Sequence, residues 1–298
     1  MHVPVLLKEA IDSLTLNKGD TVVDATINRG GHSKEICERI GKTGTLIGID
    51  IDQSALDETA KSLKGSKCKV VLKKDNFRNL DKTLESIGIE KVNAILLDLG
   101  FSSNQMDDSK RGFSFQKNEP LLMTLKDNLN EDDLTAKEIV NEWDEENIAD
   151  IIYGYGEETF SRVIAKKIIE LRKEEPIETT YDLVAVIEKA VPNWYKHKKI
   201  HFATKTFQAL RIAVNDEIGA LKEVLPKTID ALGDTGRVAV ISFHSIEDRA
   251  VKQFFKSQKD ADVGTIITKK PITPKRAEVI KNPRARSAKL RIFEKNEN

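Results

Sequence analysis

Apolar residues come in short runs at regular intervals over the first hundred positions. Residues 21–26, 45–50, 69–72 and 93–99 are runs of strand length, and the stretches between them carry apolar residues at helical spacing. Strands alternating with helices predict a parallel sheet. From about 106 to 200 the spacing is helical throughout, with capping boxes at 135–138 and 179–182 and with Gly154 and Gly156 as stop signals. No strand is predicted there. Beyond it the pattern predicts one long helix over 204–232, a strand over 237–243, a helix over 245–256, and strands near 263–268 and 289–293. The organisation is a doubly wound α/β domain, residues 1–105 and 201–298, interrupted after its fourth strand by a helical domain, residues 106–200.

Composition narrows the class. A chain of 298 residues that is 39% hydrophobic buries a substantial core. The N-terminus lacks a basic leader with a long apolar run, and no window approaches a membrane span, so the expectation is a cytoplasmic protein with no membrane partner. Cys37 and Cys68 show no pairing logic and no metal-ligand spacing. They predict neither a disulfide nor a metal site, and they fit a reducing compartment. Net charge is zero, but its distribution is uneven. Residues 131–158 hold eleven acids against Lys137, whereas residues 269–291 hold nine Lys and Arg against Glu278, and residues 194–211 add five basic residues and no acid. Such asymmetry points to a nucleic-acid partner on one face; solvated helix faces and a solubilising tail are the bland alternative.

The chemistry begins at DATINRGGHS, residues 24–33, a glycine turn between a strand and a helix. A dinucleotide fingerprint needs glycine at 28, 30 and 33, and the chain has Asn28, Gly30 and Ser33. A dinucleotide oxidoreductase is therefore disfavoured. Asp50 ends the second strand about 20 residues after the turn, where a carboxylate accepts two ribose hydroxyls. A ligand with an adenosine end and no pyrophosphate meets both conditions, and S-adenosylmethionine is the common one, its amino-acid end against Gly30, Gly31 and His32. Phe77 follows the third strand, where it either stacks on adenine or fills the core. Asp98 ends the fourth strand as that strand's only charge, with Ser102, Ser103 and Gln105 close behind. Near residues 242–248 serine, histidine and acid occur together, but no glycines flank the serines, and a hydrolase triad is disfavoured.

In order along the chain, HVPVLL, DATINRGGHS, IDID, LLDLGFSSNQMDD, RGFSF, YGEETFSRVIAKKI, TKTFQALRIAVNDE, VISFHSIEDRAVK and NPRARSAKLR resemble the bacterial 16S ribosomal RNA cytosine-N4 methyltransferase family, RsmH or MraW. The resemblance covers nearly the whole chain. It implies a class I S-adenosylmethionine-dependent methyltransferase domain with an inserted helical substrate-recognition domain, and N4-methylation of a cytidine in the decoding centre, at the P site, of 16S rRNA in the 30S subunit. It also implies cofactor contacts at Gly30, Gly31, His32, Asp50, Phe77, Asp98 and Gln105. Asp98 is the expected catalytic group, an acceptor for the amine protons of the cytosine. Ser102, Ser103, Gln208, Arg211, Asn215, His244, Arg284 and Arg286 are the candidates for RNA contact. Of these, Gln208, Arg211 and Asn215 form one polar stripe with Thr204, which is either a site face or a solvated one. Oligomeric state is left open, a homodimer included.

The chain departs from the family at Asn28, Asn104 and Phe202, and more heavily at Leu122, Thr124 and Lys126, which replace an acid, a base and an acid. The rival reading is therefore an RNA-binding or ribosome-assembly protein that keeps the fold with weakened turnover.

Overall fold

Val22 and Val23 are neighbours in sequence, yet they enter different cores. Val22 packs with Leu46, Ala94, Leu96, Ala239 and Ile241, and Val23 with Ile47, Ile95, Leu97, Val238 and Val240. Successive side chains of a strand face opposite sides of a sheet, so an all-apolar run marks a strand covered on both faces. The computed structural model describes residues 4–100, 109–126, 129–130 and 133–297. Its strands are β1 Thr21–Asp24, β2 Thr45–Asp50, β3 Lys69–Lys74, β4 Val92–Asp98, β5 Leu232–Ser242, β6 Gly264–Ile266 and β7 Lys289–Lys295. They form one sheet in the order β3-β2-β1-β4-β5-β7-β6. The pairings from β3 through β5 are parallel, and β7 runs antiparallel to both β5 and β6. This is the class I methyltransferase sheet, and its chain order reverses between β1 and β4. Open sheets of this kind bind ligands at that switch point, outside the carboxyl ends of the strands.

The chain divides into two compact units, residues 1–101 with 218–298, and residues 102–217. The helix Thr204–Asn215 belongs to the second unit, whose core contains Ala203, Phe207, Ala209 and Leu210. Sequence spacing had put it with the sheet. It also predicted one helix over 204–232, where the structure has two, Thr204–Asn215 and Glu217–Ala231. The break is at Asp216, in the left-handed conformation at φ 48°, which Asp enters more readily than most residues. Both predicted capping boxes are present, at Thr135 with Glu138 and Thr179 with Asp182. Gly156 ends the helix Glu145–Gly156, whereas Gly154 lies inside it.

Cys37 and Cys68 correct a further expectation. They are joined in a disulfide, with Cα atoms 5.1 Å apart. The first lies late in the helix Gly31–Ile40 and the second just before β3. Both enter the same core, a neighbourhood that tertiary packing creates between positions 31 residues apart. The pairing removes the support that unpaired thiols gave to a reducing compartment. No helix among the described residues is long and apolar enough to cross a membrane.

Candidate active site

Four consecutive strands lead into carboxylates, at Asp24, Asp50, Asp75 and Asp98. Asp75 is held by Asn79 and Thr83 and closes the turn after β3. The other three are buried near the switch point.

The glycine turn is shaped by contacts on both of its glycines. Gly30, at φ 70°, caps the helix Gly31–Ile40, and a Cβ there would lie 2.9 Å from Thr59 Cγ2. A Cβ on Gly31 would lie 2.4 Å from Pro4 Cγ, so the N-terminal segment passes directly over the turn. Lys34 is the first residue to donate within the helix, to the carbonyl of Gly30. The amides of Gly31, His32 and Ser33 thus precede the first intrahelical bond, at the end of the helix that favours a carboxylate.

Asp50 accepts the N–H of Asn28 on one oxygen and that of Asp52 on the other, each at 2.9 Å. The amide of Ile51 also reaches the carboxylate, which leaves it a lone pair for a hydroxyl. Burial, opposed by those amides, pushes its carboxyl up to about 6. Phe77 opens a short 3-10 turn after β3, half-buried against the core beneath it.

Asp98 is only 7% exposed, and its Oδ1 has no hydrogen-bond partner among the described residues. Its N–H donates to Thr26 Oγ1 at 2.6 Å, which ties the end of β4 to the turn after β1. Burial pushes its carboxyl up to about 8; like charge from Asp24 and Glu247 acts in the same direction, against a backbone hydrogen bond from Gly100. Asp24, 1% exposed, accepts the hydroxyl of Ser33 at 2.6 Å and is pushed up to about 6, again chiefly by burial. His32 directs Nδ1 at Asp98 Oδ2 across 3.7 Å. The result is a closely packed set of acids, at least one of which takes up a proton near neutrality.

The remaining candidates divide. His244 caps the helix Ser245–Asp260: its Nδ1 accepts the N–H of Glu247, whose carboxylate accepts the N–H groups of Phe243 and His244. Gln208 donates to the carbonyl of Tyr155, Arg211 makes a two-pronged ion pair with Glu217, and Asn215 bonds Met123 and Leu125 of the backbone. The polar stripe therefore stitches the helical unit internally. Arg284 and Arg286 lie exposed on the turn Pro283–Ser287. Ser102, Ser103 and Gln105 lie outside the described residues. At the departures, Thr124 is buried, its hydroxyl accepting the N–H of Lys126, and Lys126 pairs with Asp133. Sequence reasoning missed Asp24, Thr26 and Ser33. The signal was present, since Asp24 is a charge closing an apolar strand just as Asp98 is.

A profile of the MraW methylase family matches residues 1–296. A ribosomal RNA small subunit methyltransferase H from Brevibacillus brevis is 42% identical over 309 residues, covering 99% of this chain and 98% of that protein. The protein of that name from Clostridium botulinum strain Kyoto is 43% identical at the same coverage. Among solved structures, an rRNA methylase from Streptococcus thermophilus gives a TM-score of 0.44 at 14% identity, over 98% of this chain and 93% of that one.

Proposed function

The chain belongs to the MraW methylase family and is an rRNA methyltransferase, and on that premise we propose that it methylates N4 of a cytidine in the decoding centre, at the P site, of 16S rRNA. Its partner is the 30S subunit, in the cytoplasm. The observation that carries the reading is Asp98, a buried acid at the switch point of the sheet with an oxygen that has no hydrogen-bond partner among the described residues.

The residues present fit S-adenosylmethionine. The amides at the start of the helix Gly31–Ile40 suit its carboxylate, the remaining acceptor capacity of Asp50 suits its ribose, and Phe77 offers a ring for its adenine. When bound, it supplies a methyl carbon made electrophilic by the sulfonium. Cytosine N4 is a weak nucleophile because its lone pair is delocalised into the ring. Asp98 answers that weakness as a base whose proton affinity lies near working pH, where proton acceptance is most effective. Accepting a hydrogen bond from the amine localises the pair, and taking the proton completes the transfer.

A cysteine route to carbon 5 has no suitable thiol. Cys37 and Cys68 are bonded to each other, buried, and removed from the carboxyl ends of the strands. For RNA affinity, Arg284, Arg286 and the lysines of residues 269–291 offer phosphate contacts. The test is mass spectrometry of nucleosides from 30S subunits that lack the modification, after treatment with the enzyme and its donor. N4-methylcytidine is the expected product. Formation of 5-methylcytidine overturns the mechanism, and donor binding without transfer returns the chain to the assembly-protein reading.

A further inference from the structure

The basic run at residues 269–291 contains one acid, Glu278, on the helix Arg276–Lys281. Its Oε1 accepts the backbone N–H of Leu6 at 2.7 Å, from the opposite end of the chain. That N–H belongs to the same peptide group as the carbonyl of Val5. The carbonyl lies 3.0 Å from Nε2 of His32. One peptide is thus gripped on both sides, by a carboxylate at its N–H and an imidazole at its C=O.

A carbonyl only accepts, so Nε2 of His32 carries the hydrogen, and in the neutral ring the lone pair is then on Nδ1. Nδ1 is the atom that faces Asp98 Oδ2 at 3.7 Å. A negative charge at the N–H end of a peptide polarises it and strengthens the carbonyl as an acceptor, the more so away from water. Val5, Leu6 and His32 are all buried. The local backbone is arranged for this contact at a cost. Leu6 sits at φ 52°, ψ 32°, in the left-handed region that favours glycine, and such conformations persist where surrounding structure enforces them. Pro4, one residue before Val5, rests on the Cβ-less face of Gly31, next to His32.

We propose that Glu278 is a positioning residue for methyl transfer: through the Val5–Leu6 peptide it holds His32 in its Nε2–H form, so that the Nδ1 lone pair is presented to Asp98. The order Glu278, peptide, His32, Asp98 is that of a carboxylate orienting a histidine toward a reacting group, with a peptide bond interposed. The gap of 3.7 Å closes to a hydrogen bond when Asp98 is protonated, as catalytic contacts tighten during turnover. The consequence for transfer rests on the methyltransferase reading given above. The form of His32 does not.

The experiment uses the full chain with 15N-labelled histidine. Long-range proton–nitrogen spectra report which ring nitrogen is protonated for each of the five histidines, and a His32→Gln variant assigns the relevant set. In the parent, His32 shows the Nε2–H form. Glu278→Ala raises the share of the Nδ1–H form relative to Nε2–H about fivefold, the weight of one weakened hydrogen bond. Glu278→Gln, which keeps an acceptor oxygen and loses the charge, falls between. The same variants lower kcat on unmethylated 30S subunits and alter its pH profile while KM for the subunit is unchanged. Loss of a phosphate-binding surface would instead raise KM. An Nδ1–H form in the parent, or an unchanged form in both folded variants, overturns the proposal. If Glu278→Ala does not fold, Glu278→Gln decides it. A parent that transfers no methyl group counts against the proposed function, and the spectra still decide the role of Glu278 toward His32.

Discussion

Replacing Asp98 by Asn removes a buried carboxyl without changing its shape, and the effect on stability should grow with pH. The folded carboxyl titrates near 8 and an unfolded one near 3.8. Between those values the folded state holds the proton more tightly than the unfolded state does. The parent's stability from this group is therefore fully present below about pH 4 and is lost as pH rises through 8. Asn does not titrate, so the variant escapes that loss. From pH 5 to 8 the three units cap the growing advantage at about 4 kcal/mol, at 1.36 kcal/mol per unit. Burial sets most of that shift and the charge of Asp24 adds to it, so about 4 kcal/mol is the upper bound of the growth. Asn also buries an amide where Oδ1 has no partner among the described residues, a penalty of about 1–3 kcal/mol that is the same at every pH. The readout is therefore the change in the gap between variant and parent, by urea unfolding at pH 5 and pH 8 without donor. Methyl transfer by the variant should fall by about 10²–10⁴-fold, the usual weight of a general base. A gap that stays constant from pH 5 to 8 would refute the reasoning, because Asp98 would then be an ordinary carboxylate and no better a base than a surface one.

Asp50→Ala should weaken S-adenosylmethionine binding by roughly 10- to 150-fold, as loss of charge-assisted hydrogen bonds implies, and calorimetry on a folded variant showing unchanged affinity would remove Asp50 from the site. Gly31→Ala places a Cβ 2.4 Å from Pro4 Cγ, and the lifted N-terminal segment should cost about 1–3 kcal/mol in urea unfolding. RNA affinity should fall with salt at a log–log slope near −3.5, about five phosphate contacts on a single strand, and Arg284→Ala with Arg286→Ala should flatten it. A slope indifferent to both substitutions returns the C-terminal run to a solubilising role. Tyr195→Phe deprives the buried Glu158 of the phenol that donates to it, for an expected loss of about 1–3 kcal/mol with the helical unit still folded by circular dichroism.

Local pattern carried the strands and the acids that close them. Apolar runs of strand length mark buried parallel strands wherever they lie, and a charge ending such a run has to sit at a sheet edge. Asp50 and Asp98 were legible for that reason, and so were the capping boxes at Thr135 and Thr179, whose partners lie three residues away. The polar stripe of Gln208, Arg211 and Asn215 was legible as a stripe, but its partners Tyr155, Glu217, Met123 and Leu125 follow from how the helices pack. Cys37 meets Cys68 because helix and sheet fold onto one core, and nothing in their spacing announces it. Spacing is equally silent on the grip of Glu278 on a peptide 272 residues away, and on the strained turn at Leu6 that presents Val5 to His32. Periodicity reports which side of its own element a residue faces. What stands opposite depends on strand order and helix docking, and those are fixed only when the whole chain closes on its cores.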